Sequence, residues 1–388
     1  MMVAISAPNV FDGESMLEDY AVLIDGDRVV DVLPVGEVPD NVDTQTLSSG
    51  VLAPGFIDLQ VNGGGGVMFN NSPCRETLET IAAGHRPAGT TSLMPTLISD
   101  TFDIQQAAID AVREARAHDN PAVLGIHIEG PFFDIARRGT HKASAIRVPQ
   151  SRDIDYLSSL DDLNVIVTLA PDHVQTNQIG QLVKAGVHVC AGHTNASYEQ
   201  IQDAIAAGLK GFTHLFNAMS PLAARQPGTV GAALTSDDTW VGIIADGHHV
   251  HPASIQIAHR MKPRGKMLLV TDAMSTVGSE ETSFEIYGER IEECEGRLIN
   301  SEGSLAGSAI GMIDAVLFAT SAVGLPLEET LRMASLYPAE FLGLDKELGR
   351  ISTGYRADLV HFDADFRVQS TWLGGVHQAH VKKTGIPR

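Results

Sequence analysis

Eight short apolar runs of strand composition recur along the middle of this chain, and four of them stop on a side chain that can bind an ion or carry a proton. Val123-Leu-Gly-Ile-His-Ile-Glu129 ends on a carboxylate before Gly-Pro breaks it. Val187-His-Val-Cys-Ala-Gly-His193 and Gly211-Phe-Thr-His214 end on imidazoles, and Met267-Leu-Leu-Val-Thr-Asp272 on a second carboxylate. The other runs lie at 56–61, 91–95, 165–170 and 241–245. Most are separated by helix-like stretches rich in Ala, Glu and Gln, such as 102–117 and 198–207. Eight buried strands with intervening helices predict an α/β fold, a (β/α)8 TIM-like barrel, which places its catalytic groups at strand ends.

Both ends of the chain read differently. Residues 21–24 and 29–33 flank the turn signal Asp25-Gly26-Asp27, which predicts a hairpin. Residues 354–363 and 366–368, and short stretches near Val376 and Val381, have the same short-strand character. Neither end is long enough to bury a core alone, so residues 1–53 and 352–388 are expected to pair into one small β-sandwich domain. Residues 54–351 then form the catalytic barrel, with a strand-rich excursion at 281–305 after the eighth strand and helices at 308–322, 327–333 and 338–342.

Composition narrows the partners. Hydrophobic residues make up 44% of the 388 and charged ones 19%, enough for a large core. A formal charge of −21 argues against nucleic acid or an anionic membrane. Cys74, Cys190 and Cys294 are too few and scattered for a disulfide framework or a metal finger. With no basic-then-apolar leader and no bilayer-length apolar run, the expected location is the cytoplasm.

Glu129, His193 and His214 together make a ligand set for one divalent metal. A lone histidine is usually a satisfied core or surface group, and a lone buried carboxylate usually pairs with a cation. The third run contains no such cation, and its His127 falls on the same face as Glu129. Asp272 could simply cap a helix, but beside a metal it reads as a general base. Zinc suits a Glu-His-His set best, with iron(II), cobalt(II) and manganese(II) as alternatives.

These residues lie in motifs that resemble the amidohydrolase superfamily, and within it the N-acetylglucosamine-6-phosphate deacetylase family. The resemblance spans nearly the whole chain. It is carried by Ala53-Pro-Gly-Phe-Ile-Asp58, Gly125-Ile-His-Ile-Glu-Gly-Pro131, Ala191-Gly-His-Thr-Asn-Ala196, Thr213-His-Leu-Phe-Asn-Ala-Met219, Gly242-Ile-Ile-Ala-Asp-Gly247 and Val270-Thr-Asp-Ala273. The tripeptide Ala357-Asp-Leu359 is common to the whole superfamily and specifies little.

The resemblance implies a metal-dependent hydrolase that removes acetate from an amino-sugar 6-phosphate, with Glu129, His193 and His214 as ligands and Asp272 as catalytic aspartate. It implies that His141 polarises the carbonyl. Arg225 and His249 bind the phosphate, with backbone groups around Asn217 and Ala218 adding hydrogen bonds. Next to His249, His248 and His251 remain alternatives. Leu305-Ala-Gly-Ser308 is expected to open a helix and wall the sugar site. The clamp is implied to close across a homodimer interface.

Many superfamily members carry His-x-His after the first strand and a modified lysine after the fourth. This chain has Gln60-Val-Asn62 and Leu169-Ala-Pro-Asp172 there, so one metal is expected, with Gln60 and Asn62 holding a water or nothing of importance. Rival readings are the galactosamine epimer, another amidohydrolase on the same scaffold, and a barrel that only binds.

Overall fold

The computed structural model describes residues 2–118 and 120–380. Its centre is a run of eight strands, paired parallel in chain order: Phe56–Val61, Thr90–Ile98, Gly125–Glu129, Asn164–Leu169, His188–Ala191, Gly211–Phe212, Trp240–Ile244 and Met267–Val270. Nearly every residue in them is buried, because helices cover one face and the barrel interior fills the other.

Local signals start the helices. The expected helix over 102–117 is observed as Phe102–Ala117, with Thr101 capping it by accepting from the Ile104 N–H. Ala108, Ile109, Ala111, Val112 and Ala115 form its buried stripe. Helix Tyr198–Ala206 starts at a reciprocal capping box between Ser197 and Gln200.

The seam between the first and eighth strands is closed by a few bonds rather than a ladder. The Asp272 N–H donates to Gln60 O at 3.0 Å and the Asn62 N–H to Ala273 O at 2.9 Å. Below them the buried Asp58 carboxylate accepts from the Gln60 and Thr271 N–H groups and from the Thr271 hydroxyl.

The small domain draws on both termini. Its strands are Val3–Phe11, Met16–Asp25, Arg28–Pro34, Asp43–Thr46, Val51–Pro54, Leu359–Phe362, Val368–Leu373 and Val376–Ala379. The hairpin turns at Gly26 and Asp27, with Asp25 opposite Arg28 and Gly26 at φ +61°. The hydrogen-bonded path is continuous, and the segment leading into Leu359–Phe362 also reaches the first hairpin: the Ala357 N–H donates to Asp27 O and the Val29 N–H to Tyr355 O. Ile5, Val10, Val22, Leu52, Leu359 and Trp372 are enclosed. The strand expected near Val381 lies outside the described residues. Asp358 fastens this sheet to the barrel, accepting from Arg356 and from Ser92 on the second barrel strand.

After the eighth strand, Ser283–Ile286, Glu289–Cys294, Arg297–Ile299 and Leu305–Ser308 form an antiparallel sheet. Its core includes Met68 and Ile98 from the loops and strand ends at the barrel mouth. Leu305 therefore sits on a strand, and the helix expected to open there begins only at Met312. Gly307 at φ +65° takes the chain past Asp272 O and Met274, where a Cβ would collide.

Candidate active site

Glu129 is the last residue of its strand, and the other three charged strand-end residues stand two positions beyond theirs. All three lie in the left-handed region, His193 at φ +49°, His214 at +33° and Asp272 at +52°. The chain turns sharply at each barrel lip, which swings the side chain inward at a cost of about 1–3 kcal/mol apiece.

Glu129 Oε1 lies 3.2 Å from His193 Nε2 and 3.0 Å from His214 Nε2, and the two nitrogens are 3.0 Å apart. All three residues are buried. Donors at roughly 2.0–2.1 Å from a tetrahedral ion stand about 3.3 Å from one another, so this triangle fits a divalent metal with little movement. His193 Nδ1–H donates to the Arg137 carbonyl at 2.8 Å, which leaves Nε2 unprotonated and aimed at the site. His214 Nδ1 is buried without a partner. Burial works against ionisation of Glu129, but the two histidines that face it outweigh burial and hold its pKa well below the ordinary carboxylate value.

Asp272 behaves oppositely. Burial, followed by the neighbouring Glu129 charge, raises its pKa to about 6. Gln60 and Asn62 do not merely hold a water: Asn62 Nδ2 donates to Asp272 Oδ1 at 2.6 Å, and Gln60 Nε2 donates to both Asp272 Oδ1 and Glu129 Oε1 at 3.1 Å. Asn62 Oδ1 is left buried and unpartnered, a loss of about 1–3 kcal/mol. No helix starts at Asp272, so it is not a cap.

His141 is buried. The Ser99 N–H donates to its Nδ1 at 3.2 Å, so the proton of the neutral ring resides on Nε2. Burial, then the nearness of His193, keeps it neutral by holding its pKa well below the usual value. His127 has a different role. It is buried between Thr96 and Thr168 hydroxyls at 3.1 and 2.7 Å, as a satisfied histidine in the barrel interior.

One pocket with about 620 Å³ of free space gathers Glu129, His141, His193, His214, Asn217, Ala218, His249, Asp272 and Leu305. His249 Nδ1–H donates to Asp246 at 2.6 Å, and Asp246 also accepts the His248 and His249 N–H groups. His248 is exposed, and His251 caps helix Pro252–Met261 by accepting from the Ala253 N–H. Of the three histidines, His249 is the one in the pocket. Arg225 is exposed on the loop at 221–226 and does not line the pocket.

Sequence reasoning missed Asp246, which follows the seventh strand and stands three residues before His249. It also missed Ser99, for which the sequence holds no signal, and the amide contacts to Asp272.

A buried triangle of ligand side chains fit for a metal, with an adjacent carboxylate at the strand ends of a (β/α)8 barrel, defines a metal-dependent hydrolase. Residues 51–384 match the amidohydrolase family and residues 2–51 match the NagA composite domain. The chain belongs to the amidohydrolase family. It is 45% identical, over 85% of its length and 83% of the relative's, to N-acetylgalactosamine-6-phosphate deacetylase of a Shewanella species. It is 37% identical, over 94% of its length and 96% of the relative's, to N-acetylglucosamine-6-phosphate deacetylase of Haemophilus influenzae. The crystal structure of N-acetylglucosamine-6-phosphate deacetylase from Pasteurella multocida matches with a TM-score of 0.95 at 37% identity, covering 98% of this chain and all 100% of that one. A mutant of the Mycobacterium smegmatis enzyme, in complex with N-acetyl-D-glucosamine-6-phosphate, matches with a TM-score of 0.90 at 31% identity, covering 97% and 99%.

Proposed function

We propose that this protein hydrolyses N-acetyl-D-glucosamine 6-phosphate to D-glucosamine 6-phosphate and acetate, as part of amino-sugar breakdown or recycling. The observation that carries this reading is the buried triangle of Glu129, His193 and His214 with Asp272 beside it in one pocket. The named relatives supply the substrate class.

Glu129, His193 and His214 hold one divalent ion, with zinc the best fit to two imidazoles and a carboxylate. Bound there, such an ion lowers the pKa of a water towards about 7 and polarises the acetyl carbonyl. Asp272 takes a proton from the attacking water and delivers it to the nitrogen of the departing amine. His141 donates its Nε2 proton towards the carbonyl oxygen as negative charge builds there. His249, with backbone groups at Asn217 and Ala218, binds the far end of the sugar phosphate. Leu305 walls the sugar.

Arg225 completes the phosphate clamp from the partner subunit of a homodimer. Its exposure, and that of Leu222 at 58% on the same loop, supports an interface there. Residues 54–351 are the catalytic unit, with 1–53 and 352–388 as its β domain. Among the described residues no helix is long and apolar enough to cross a membrane. The enzyme works in the cytoplasm, in keeping with its free cysteines.

The Shewanella relative, at 45% identity, favours a second reading in which N-acetylgalactosamine 6-phosphate is the better substrate. An assay of amine release from both acetylhexosamine 6-phosphates, with free N-acetylglucosamine as control, tests both. Faster turnover of the gluco epimer supports the first reading and faster turnover of the galacto epimer the second. Turnover of neither phosphate ester overturns the proposal.

A further inference from the structure

Asp272 needs one oxygen free to carry a proton and a fixed direction in which to present it. Both amide donors described above, from Gln60 and Asn62, converge on the same oxygen, Oδ1. Among the described residues, Oδ2 has no hydrogen-bond partner, and Asp272 lines the pocket. Gln60 also links the two carboxylates of the site, bonding Glu129 Oε1 with the same nitrogen that bonds Asp272.

We infer that Gln60 and Asn62 are positioning residues that engage Oδ1 of Asp272 and so assign proton transfer to Oδ2. The inference rests on the proposed role of Asp272 as proton carrier.

Three features converge on it. Both amides present nitrogen, a donor, to Asp272 Oδ1, and Gln60 extends the same nitrogen to Glu129 Oε1. Asn62 does so although its own Oδ1 is left buried and unpartnered, an arrangement that packing alone does not favour. The main chain fixes both side chains at the barrel seam, because Gln60 O accepts from the Asp272 N–H and the Asn62 N–H donates to Ala273 O. The backbone and side chains of these two residues thus hold Asp272 from both ends. With Oδ1 engaged twice, rotation of the carboxylate breaks two hydrogen bonds, so Oδ2 stays turned to the reacting groups. Neutral donors also leave the carboxylate free to gain and lose a proton, which a permanent cation in their place would oppose.

The test uses Asn62→Leu, which removes the donor at similar volume and does not touch Glu129. Kinetics with N-acetylglucosamine 6-phosphate, metal analysis and a crystal structure of the variant are the readouts. The expected result is a kcat at least about tenfold lower, equivalent to about 1.4 kcal/mol. KM should stay within about twofold, metal content should match wild type, and the Asp272 carboxylate should be turned from its present orientation. Gln60→Leu should lower kcat similarly and also weaken metal retention, because it removes a bond to Glu129. Wild-type kcat in a folded, metal-loaded Asn62→Leu protein, or a change confined to KM, overturns the inference. If Asn62→Leu does not fold, the isosteric Asn62→Asp replaces it, read by the same kcat-against-KM split. An inactive wild-type protein refutes the functional proposal instead, and the carboxylate orientation in the variant crystal then decides the positioning claim alone.

Discussion

The two halves of the pocket are built on different principles. On the metal side, Glu129, His193 and His214 are buried at strand ends and meet within a single chain, with Asp272 half-buried at a fourth strand end and tied to Glu129 through Gln60. On the phosphate side, Asn217, Ala218 and His249 stand on loops, and Arg225 is exposed outside the pocket. In the proposed reading, rigid strands fix the chemistry that tolerates little displacement, whereas recognition of the distant phosphate is left to loops. The metal side should therefore fail abruptly on substitution, and the phosphate side by degrees.

The largest effects belong to the metal side. Glu129→Gln removes the charged ligand, so it should lose most bound metal and about a thousandfold or more of kcat. Asp272→Asn should keep its metal while losing roughly a hundredfold to ten-thousandfold of kcat. Metal analysis beside kinetics separates the two, and near-normal turnover by Asp272→Asn breaks the assigned mechanism.

Next comes the seam that holds this side together. Burial raises the pKa of Asp58 from 3.8 to about 7, so the folded protein binds a proton there that the unfolded chain releases near pH 4. Its contribution to stability is fully present below about pH 4 and is lost as pH rises through about 7. Asp58→Asn mimics the protonated acid. The advantage of wild type over this variant should thus shrink between pH 4 and 7.5 by on the order of 2–4 kcal/mol, read from paired thermal melts. A gap that does not change with pH would show that the seam carboxyl is not titrating.

The phosphate side should yield smaller and more selective losses. A charge-assisted contact is worth about 1.5–3 kcal/mol, so Arg225→Ala should cut kcat/KM for the phosphorylated sugar by more than about tenfold. Activity on free N-acetylglucosamine should barely move. Equal loss on both substrates points to a structural role, and a sizing column then asks whether the proposed dimer has come apart. Smallest of all, Asp246→Asn weakens the orientation of His249 and should raise KM about two- to tenfold with kcat little changed. A fall in kcat alone would place His249 in the chemistry rather than in binding.

The same division governs what could be read from the sequence. Charges closing apolar runs mark Glu129, His193, His214 and Asp272, because burial of an ionisable group at a strand end is visible in one dimension. The eight strands were legible for the same reason, and observed bounds such as Gly125–Glu129 fall within a few residues of the runs. Gln60 and Asn62 were misjudged because their contacts exist only once the first and last strands meet, some 210 residues apart in the chain. Ser99 and Asp246 escaped because their work is to orient another side chain, which leaves no periodicity. Leu305 lines the pocket, but from a strand rather than the start of a helix: Leu-Ala-Gly-Ser has no strand alternation, and pairing with Arg297–Ile299 overrides its local preference. The position of Arg225 was not legible at all: its loop at 221–226 is exposed and outside the pocket, and no periodic pattern marks where such a loop lies.

The central claim is that one metal, held by three strand-end residues of a single chain, suffices for the reaction. Protein stripped with a chelator and titrated with zinc, while acetate release from N-acetylglucosamine 6-phosphate is followed, tests it directly. The account predicts negligible turnover without metal, a linear rise, and a plateau at one equivalent per chain. Full turnover by the stripped protein, or a rise that continues to two equivalents, would contradict it.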